Sequence, residues 1–157
     1  MLIEETSGVD RSRLVFPGLA ALYERLAPCS YVFMRVAIAL FILPSGIDKM
    51  FYGGAARIAA GNVVKAGFSP PLFWAWVVAN AEFFGVILLA LGLFTRPVAF
   101  ILAIEMAVIT FRVHGGPGFF WTAHGYEYPL LMMVIFIAFT ISGGGRYSLD
   151  RVLGREF

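Results

Sequence analysis

The chain has 157 residues, 60% of them hydrophobic and 16% aromatic, with 14% charged and a mean hydropathy of +0.83. That balance leaves a soluble domain of this length too little polar surface, so composition points to one membrane-embedded unit. The formal charge of +2 is too small and dispersed for a nucleic-acid binder, and the basic residues mostly flank apolar runs.

The first ten residues carry Glu4, Glu5 and Asp10 and no basic residue. That is the wrong pattern for a cleavable secretory signal, so the N-terminus is expected to survive in the mature protein. Val15, Phe16, Leu19, Leu22, Tyr23 and Leu26 recur at helical spacing around Pro17. The spacing predicts a short amphipathic helix on the membrane surface, within an N-terminal extension of residues 1–30. A solvated helix packed on a partner is the alternative. Cys29 is the single cysteine, which excludes an intrachain disulfide or a redox dithiol.

Four apolar runs follow, at about 31–51, 71–94, 97–113 and 128–142. A bilayer-crossing helix needs about 20 mostly apolar residues, with about 17 at the short end. The first three runs meet that length; the fourth must borrow flanking residues from His124 onward and from Gly143 to Gly145. The predicted fold is all-α: an integral membrane four-helix bundle over residues 31–157, preceded by the interfacial helix. Arg11, Arg13, Arg25, Arg96, Arg146, Arg151 and Arg155 fall on the side of both termini, against Lys49, Arg57, Lys65 and Arg112 opposite. The excess of basic residues places both termini in the cytoplasm.

Glu82 and Glu105 stand in the middle of runs otherwise free of acids, where a carboxylate is costly and marks a functional position. On the first span Arg35, Ile38, Ile42, Ser45 or Gly46, and Lys49 share a face by steps of three and four. On the second, Glu82, Gly85, Leu89 and Gly92 form a face whose small residues allow close helix approach. Counting from the Thr95-Arg96-Pro97 turn puts Glu82 about 8 Å deeper than Glu105. Arg35 is then expected to pair with Glu105, with Glu82 near Asn80. One arginine cannot compensate two buried carboxylates, so Glu82 is expected to hold a proton much of the time. The candidate catalytic cluster is Glu82, Glu105 and Arg35; the competing reading is that these groups only lock helix packing through hydrogen bonds.

The connection from Val113 to Tyr128 gathers His114, Phe119, Phe120, Trp121, His124, Tyr126 and Glu127. Two histidines ten apart in an irregular loop, without a third ligand, are a poor metal signature, and no metal is expected. With Arg35 and Glu82 they are candidates to line a quinone or small-molecule pocket. The stretches Gly115-Gly116-Pro117-Gly118 and Gly143 to Gly145 lack the strand-to-helix context and lysine of a nucleotide-binding loop and read as turns.

Arg35 through Gly46 and Lys49, then Glu82-Phe83-Phe84-Gly85, Leu91-Gly92-Leu93-Phe94-Thr95-Arg96, Gly125-Tyr126-Glu127-Tyr128 and Gly143-Gly144-Gly145-Arg146-Tyr147-Ser148-Leu149-Asp150 occur in that order. Together they resemble the DoxX family over about residues 31–151. The resemblance implies a four-helix bacterial inner-membrane protein; the family takes its name from the membrane subunit of a thiosulfate:quinone oxidoreductase. Motif positions carried over are Arg35, Lys49, Glu82, Arg96, Glu127 and Asp150, whereas Glu105 matches no motif. Quinone is the implied cofactor; membrane lipid and further protein subunits are the implied partners. Three functions are compatible: a quinone-linked oxidoreductase subunit, a non-catalytic assembly subunit, and a small proton-coupled carrier.

Overall fold

The structure, a computed structural model, describes residues 11–116 and 118–155; residues 1–10, on which the signal-peptide argument rests, lie outside them. Regular structure among the described residues is entirely helical. The helices are α1 (Ala20–Phe51), α2 (54–66), α3 (Pro71–Leu91), α4 (95–113), α5 (Glu127–Ser142) and α6 (Leu149–Val152).

α1 departs from the expectation of a separate surface helix. Leu22, Tyr23 and Leu26 belong to the first turns of one helix that continues without a break to Phe51. Its 32 residues rise about 48 Å, against roughly 30 Å of bilayer hydrocarbon. Pro28 and Pro44 lie inside it, each leaving a carbonyl one turn earlier without its usual donor.

α2 was not legible in the sequence. It occupies the connection between the first two apolar runs, and its buried stripe is Ala55, Ala59, Val63 and Ala66. Ala55, Ala59 and Val63 pack with Ala75 and Ala79 of α3 in a small core of their own. Small side chains give a weak apolar period, and Gly54 and Gly61 within the helix and Gly53 and Gly67 beside it read as turn residues.

α3 ends where Gly92 adopts a left-handed φ of 69°, and Leu93 N–H reaches back to the Leu88 carbonyl at 2.9 Å. This cap frees the chain to reverse within three residues, Gly92 to Phe94. α4 then begins at Thr95 with Pro97 in its first turn, where the missing N–H has no intrahelical partner to lose. Each of α2, α3 and α4 contains one widened turn, at Ala59–Val63, Ala81–Gly85 and Ile109–Val113.

The main core is contributed by α1 (Ala39, Ile42), α3 (Val86, Leu89), α4 (Val98, Ala99, Leu102, Ala103, Met106) and α5 (Met132, Phe136, Phe139). The outward faces are equally apolar: Phe33, Leu40 and Phe41 on α1, Phe73 and Leu91 on α3, Phe100 and Ile104 on α4, and Val134 and Ile141 on α5 are all exposed. Apolar surface on that scale requires an apolar surrounding. Among the described residues, two helices are long and apolar enough to cross a membrane: α1 with its preceding turn, and α3. α5 is shorter at 16 residues, and α4 carries Arg96, Glu105 and Arg112.

Candidate functional site

Arg35 is drawn to the turn end of the molecule. Its guanidinium, 1% exposed, donates to the carbonyls of Gly144, Tyr147 (2.8 Å) and Ala90 (3.3 Å). Beside it the buried Asp150 accepts from the N–H groups of Phe94 (2.8 Å) and Thr95 (3.0 Å) and from the Thr95 hydroxyl (2.8 Å). Asp150 thereby caps α4 from the far end of the chain. Arg96 donates to the carbonyls of Thr140 and Ile141, and the Tyr31 hydroxyl to that of Gly143 at 2.5 Å. Three of the motif positions, Arg35, Arg96 and Asp150, thus fasten residues 140–150 to the ends of α3 and α4.

The expected Arg35 to Glu105 pair does not form. Arg35 stands fourteen residues before Lys49 on α1, about 21 Å along the helix. Lys49 is the residue that meets the acids: its ammonium forms a buried ion pair with Glu82 and a 2.5 Å hydrogen bond with the Ser45 hydroxyl. Gly46 permits this contact, because a Cβ there would collide with the Glu82 carbonyl and the Phe83 nitrogen. Glu82 sits in the widened turn of α3, a local irregularity often found at functional positions.

The expected 8 Å difference in depth also disappears. Glu82 lies nine residues before the end of α3 at Leu91, and Glu105 ten residues after the start of α4 at Thr95. The antiparallel helices place the two carboxyls side by side, close enough to interact directly. The expected difference came from measuring both depths from the Thr95-Arg96-Pro97 turn, whereas α3 already ends at Leu91 and α4 already begins at Thr95. Both oxygens of Glu105 are buried with no hydrogen-bond donor among the described residues. Tyr128 of α5 is near enough to Glu82 for their charges to interact. The site is therefore one lysine with its Ser45 hydroxyl, two carboxyls and a neighbouring phenol against an apolar core, with Glu105 the acid that has no cation of its own.

Sequence reasoning placed Lys49 on the correct face of α1 and missed its role. The signal was Gly46 one turn before it: a residue that admits a neighbouring backbone also draws the adjacent side chains together. Asn80 turns away from the acids, to an outward groove, and donates to the Trp76 carbonyl at 2.7 Å.

That groove, of about 530 Å³, runs between α3 and α4 and is lined by apolar residues together with Asn80, Ala81 and Gly85. His114 and His124 lie beyond it, at the far end of α4, where the His114 Nδ1 is 2.7 Å from the His124 carbonyl oxygen. His114 is about 13 Å past Glu105 along the helix. Among the described residues no group of three or more histidine, cysteine or acidic side chains is placed to hold a metal ion. The motif residue Glu127 accepts from the Trp121 N–H at 3.0 Å and closes the aromatic loop on itself.

Residues 30–115 match the DoxX family. An uncharacterized protein of Haemophilus influenzae is 39% identical over 130 residues, covering 81% of this chain and 92% of the relative. An uncharacterized membrane protein of Mycobacterium tuberculosis is 30% identical over 150 residues, covering 89% of this chain and 91% of the relative. No solved structure matches the chain.

Proposed function

The chain belongs to the DoxX family of membrane proteins, and from that premise we propose that it is a four-span inner-membrane subunit of a quinone-linked redox assembly. α1, α3, α4 and α5 are its spans, both termini face the cytoplasm, and Lys49, Glu82 and Glu105 form its proton-handling site. The observation that carries this reading is the Glu105 carboxyl: it is buried beside an acid already paired with Lys49, and among the described residues both its oxygens lack a donor.

An ionised carboxylate without a donor in an apolar interior is strongly disfavoured, so Glu105 is the natural holder of a transferable proton. Reduction of a quinone to a quinol consumes two electrons and two protons. In this scheme the electrons come from a redox centre of a partner protein. Glu105 would supply a proton to the quinone, the nearby Lys49 ammonium would stabilise the carboxylate left behind, and a proton from water at the membrane surface would restore the acid before the second is supplied. Lys49 therefore stabilises the transient charge, and Glu82 holds Lys49 in place.

A non-catalytic assembly role is the second reading, favoured by the Arg35 and Asp150 contacts, which tie helix ends together. Native mass spectrometry of the protein gently extracted from its own membrane separates the two. A retained quinone mass, lost on Glu105→Gln in a folded protein, is the expected result. A stoichiometric protein partner with no quinone would support the assembly reading instead.

A further inference from the structure

Resting on the quinone reading, we infer that the groove between α3 and α4 is where the quinone sits, reached sideways from the bilayer, with the Asn80 amide donating to a ring carbonyl. The groove opens on the apolar outer surface: Phe73 and Ile101 on its rim are 58% and 51% exposed. An occupant must therefore be dissolved in the membrane, and about 530 Å³ is within the usual range of small-molecule sites.

Ala81 and Gly85 are the smallest residues of the lining. Glu82 follows Ala81 directly. Glu105 lies three and four residues past Leu102 and Ile101, on the same face of α4 and one turn further on. Along the helices, Glu82 is thus about 3 Å from the level of Asn80, and Glu105 one turn from Leu102.

Asn80 is the polar exception in the lining. Its Nδ2 uses one hydrogen on the Trp76 carbonyl, and the second is available to an acceptor. An amide facing lipid is costly unless a partner is supplied. A quinone brings carbonyl acceptors on a flat ring, and its isoprenoid chain suits a wall of Phe73, Trp76, Val77, Leu88, Ile101 and Leu102.

The test is photolabelling of the full-length protein in nanodiscs with an azido-quinone carrying an isoprenoid tail, mapped by peptide mass spectrometry. Saturable labelling within residues 73–102 is expected. Ile101→Trp, a change at a half-exposed position that fills the groove, should abolish it; Val77→Trp serves if that variant fails to fold. Asn80→Leu should weaken labelling about 2- to 10-fold, the value of one hydrogen bond. Saturable labelling elsewhere, insensitive to both tryptophans, overturns the groove and leaves the quinone reading intact. Absence of saturable labelling anywhere overturns that reading and the groove with it. Labelling lost in favour of crosslinks between two copies through α3 overturns the groove as a ligand site and assigns it to self-association.

Discussion

The Lys49 ammonium and the Glu82 carboxylate form an ion pair between α1 and α3, with side chains only 12% and 5% exposed. Their geometry depends on Gly46, whose missing side chain lets α1 rest on the Glu82 backbone. Lys49→Met removes the cation and leaves two buried acids together. It should destabilise the protein by about 3–5 kcal/mol, read as a drop in detergent unfolding temperature. The double variant Lys49→Met, Glu82→Met should recover much of that loss, because no unpaired charge remains at Glu82.

Gly46→Ala should cost about 1–3 kcal/mol. The new methyl falls on the Glu82 carbonyl carbon and the Phe83 nitrogen, at 2.6 and 2.7 Å, and backbone cannot rotate away. Gly61→Ala in α2 is the control: nothing lies within 4 Å of its added carbon. That variant should be neutral or stabilised by up to about 1 kcal/mol in the same melts.

Asp150→Ala should loosen the C-terminal segment before it affects the site. Three donors at the start of α4 lose their acceptor, and an uncapped helix start costs about 1–2 kcal/mol. Limited proteolysis should cut between residues 143 and 155 faster than in the unaltered protein. An unchanged digestion pattern would mean that Asp150 does not hold this segment.

Arg35→Lys should behave as a packing defect. A lysine cannot reproduce the forked donation to Gly144, Tyr147 and Ala90, so stability should fall. Quinone labelling of the folded fraction should stay unchanged, since Arg35 is about 21 Å along α1 from Lys49. Loss of labelling without loss of stability would return Arg35 to the ligand site.

Cys29 offers a test of orientation without mutagenesis. It is exposed and lies six residues before Arg35, about 9 Å beyond the level of the C-terminal loop. A membrane-impermeant maleimide should label it in inverted vesicles and spare it in intact cells. The reverse pattern would place both termini outside.

How much was legible without coordinates follows the range of each interaction. The apolar runs at 31–51, 71–94, 97–113 and 128–142 are local, and each falls within or nearly coincides with a helix; only α1 departs strongly, starting eleven residues earlier at Ala20. Glu82 and Glu105 were visible because an acid within an apolar run is anomalous in one dimension. α2 was not, because alanine and valine bury against α3 without producing a strong local pattern.

Sequence alone determined the helical class, the membrane setting and the two acids, because hydrophobic periodicity and charge cost are properties of a single segment. Which cation meets which acid was decided only by tertiary packing. Arg35 and Lys49 share a face of α1, and no local rule chooses between them. The choice rests on the turn at Gly92, which sets Glu82 and Glu105 level, on Gly46, which draws Lys49 to Glu82, and on the carbonyls of residues 144 and 147, which hold Arg35 at the far end.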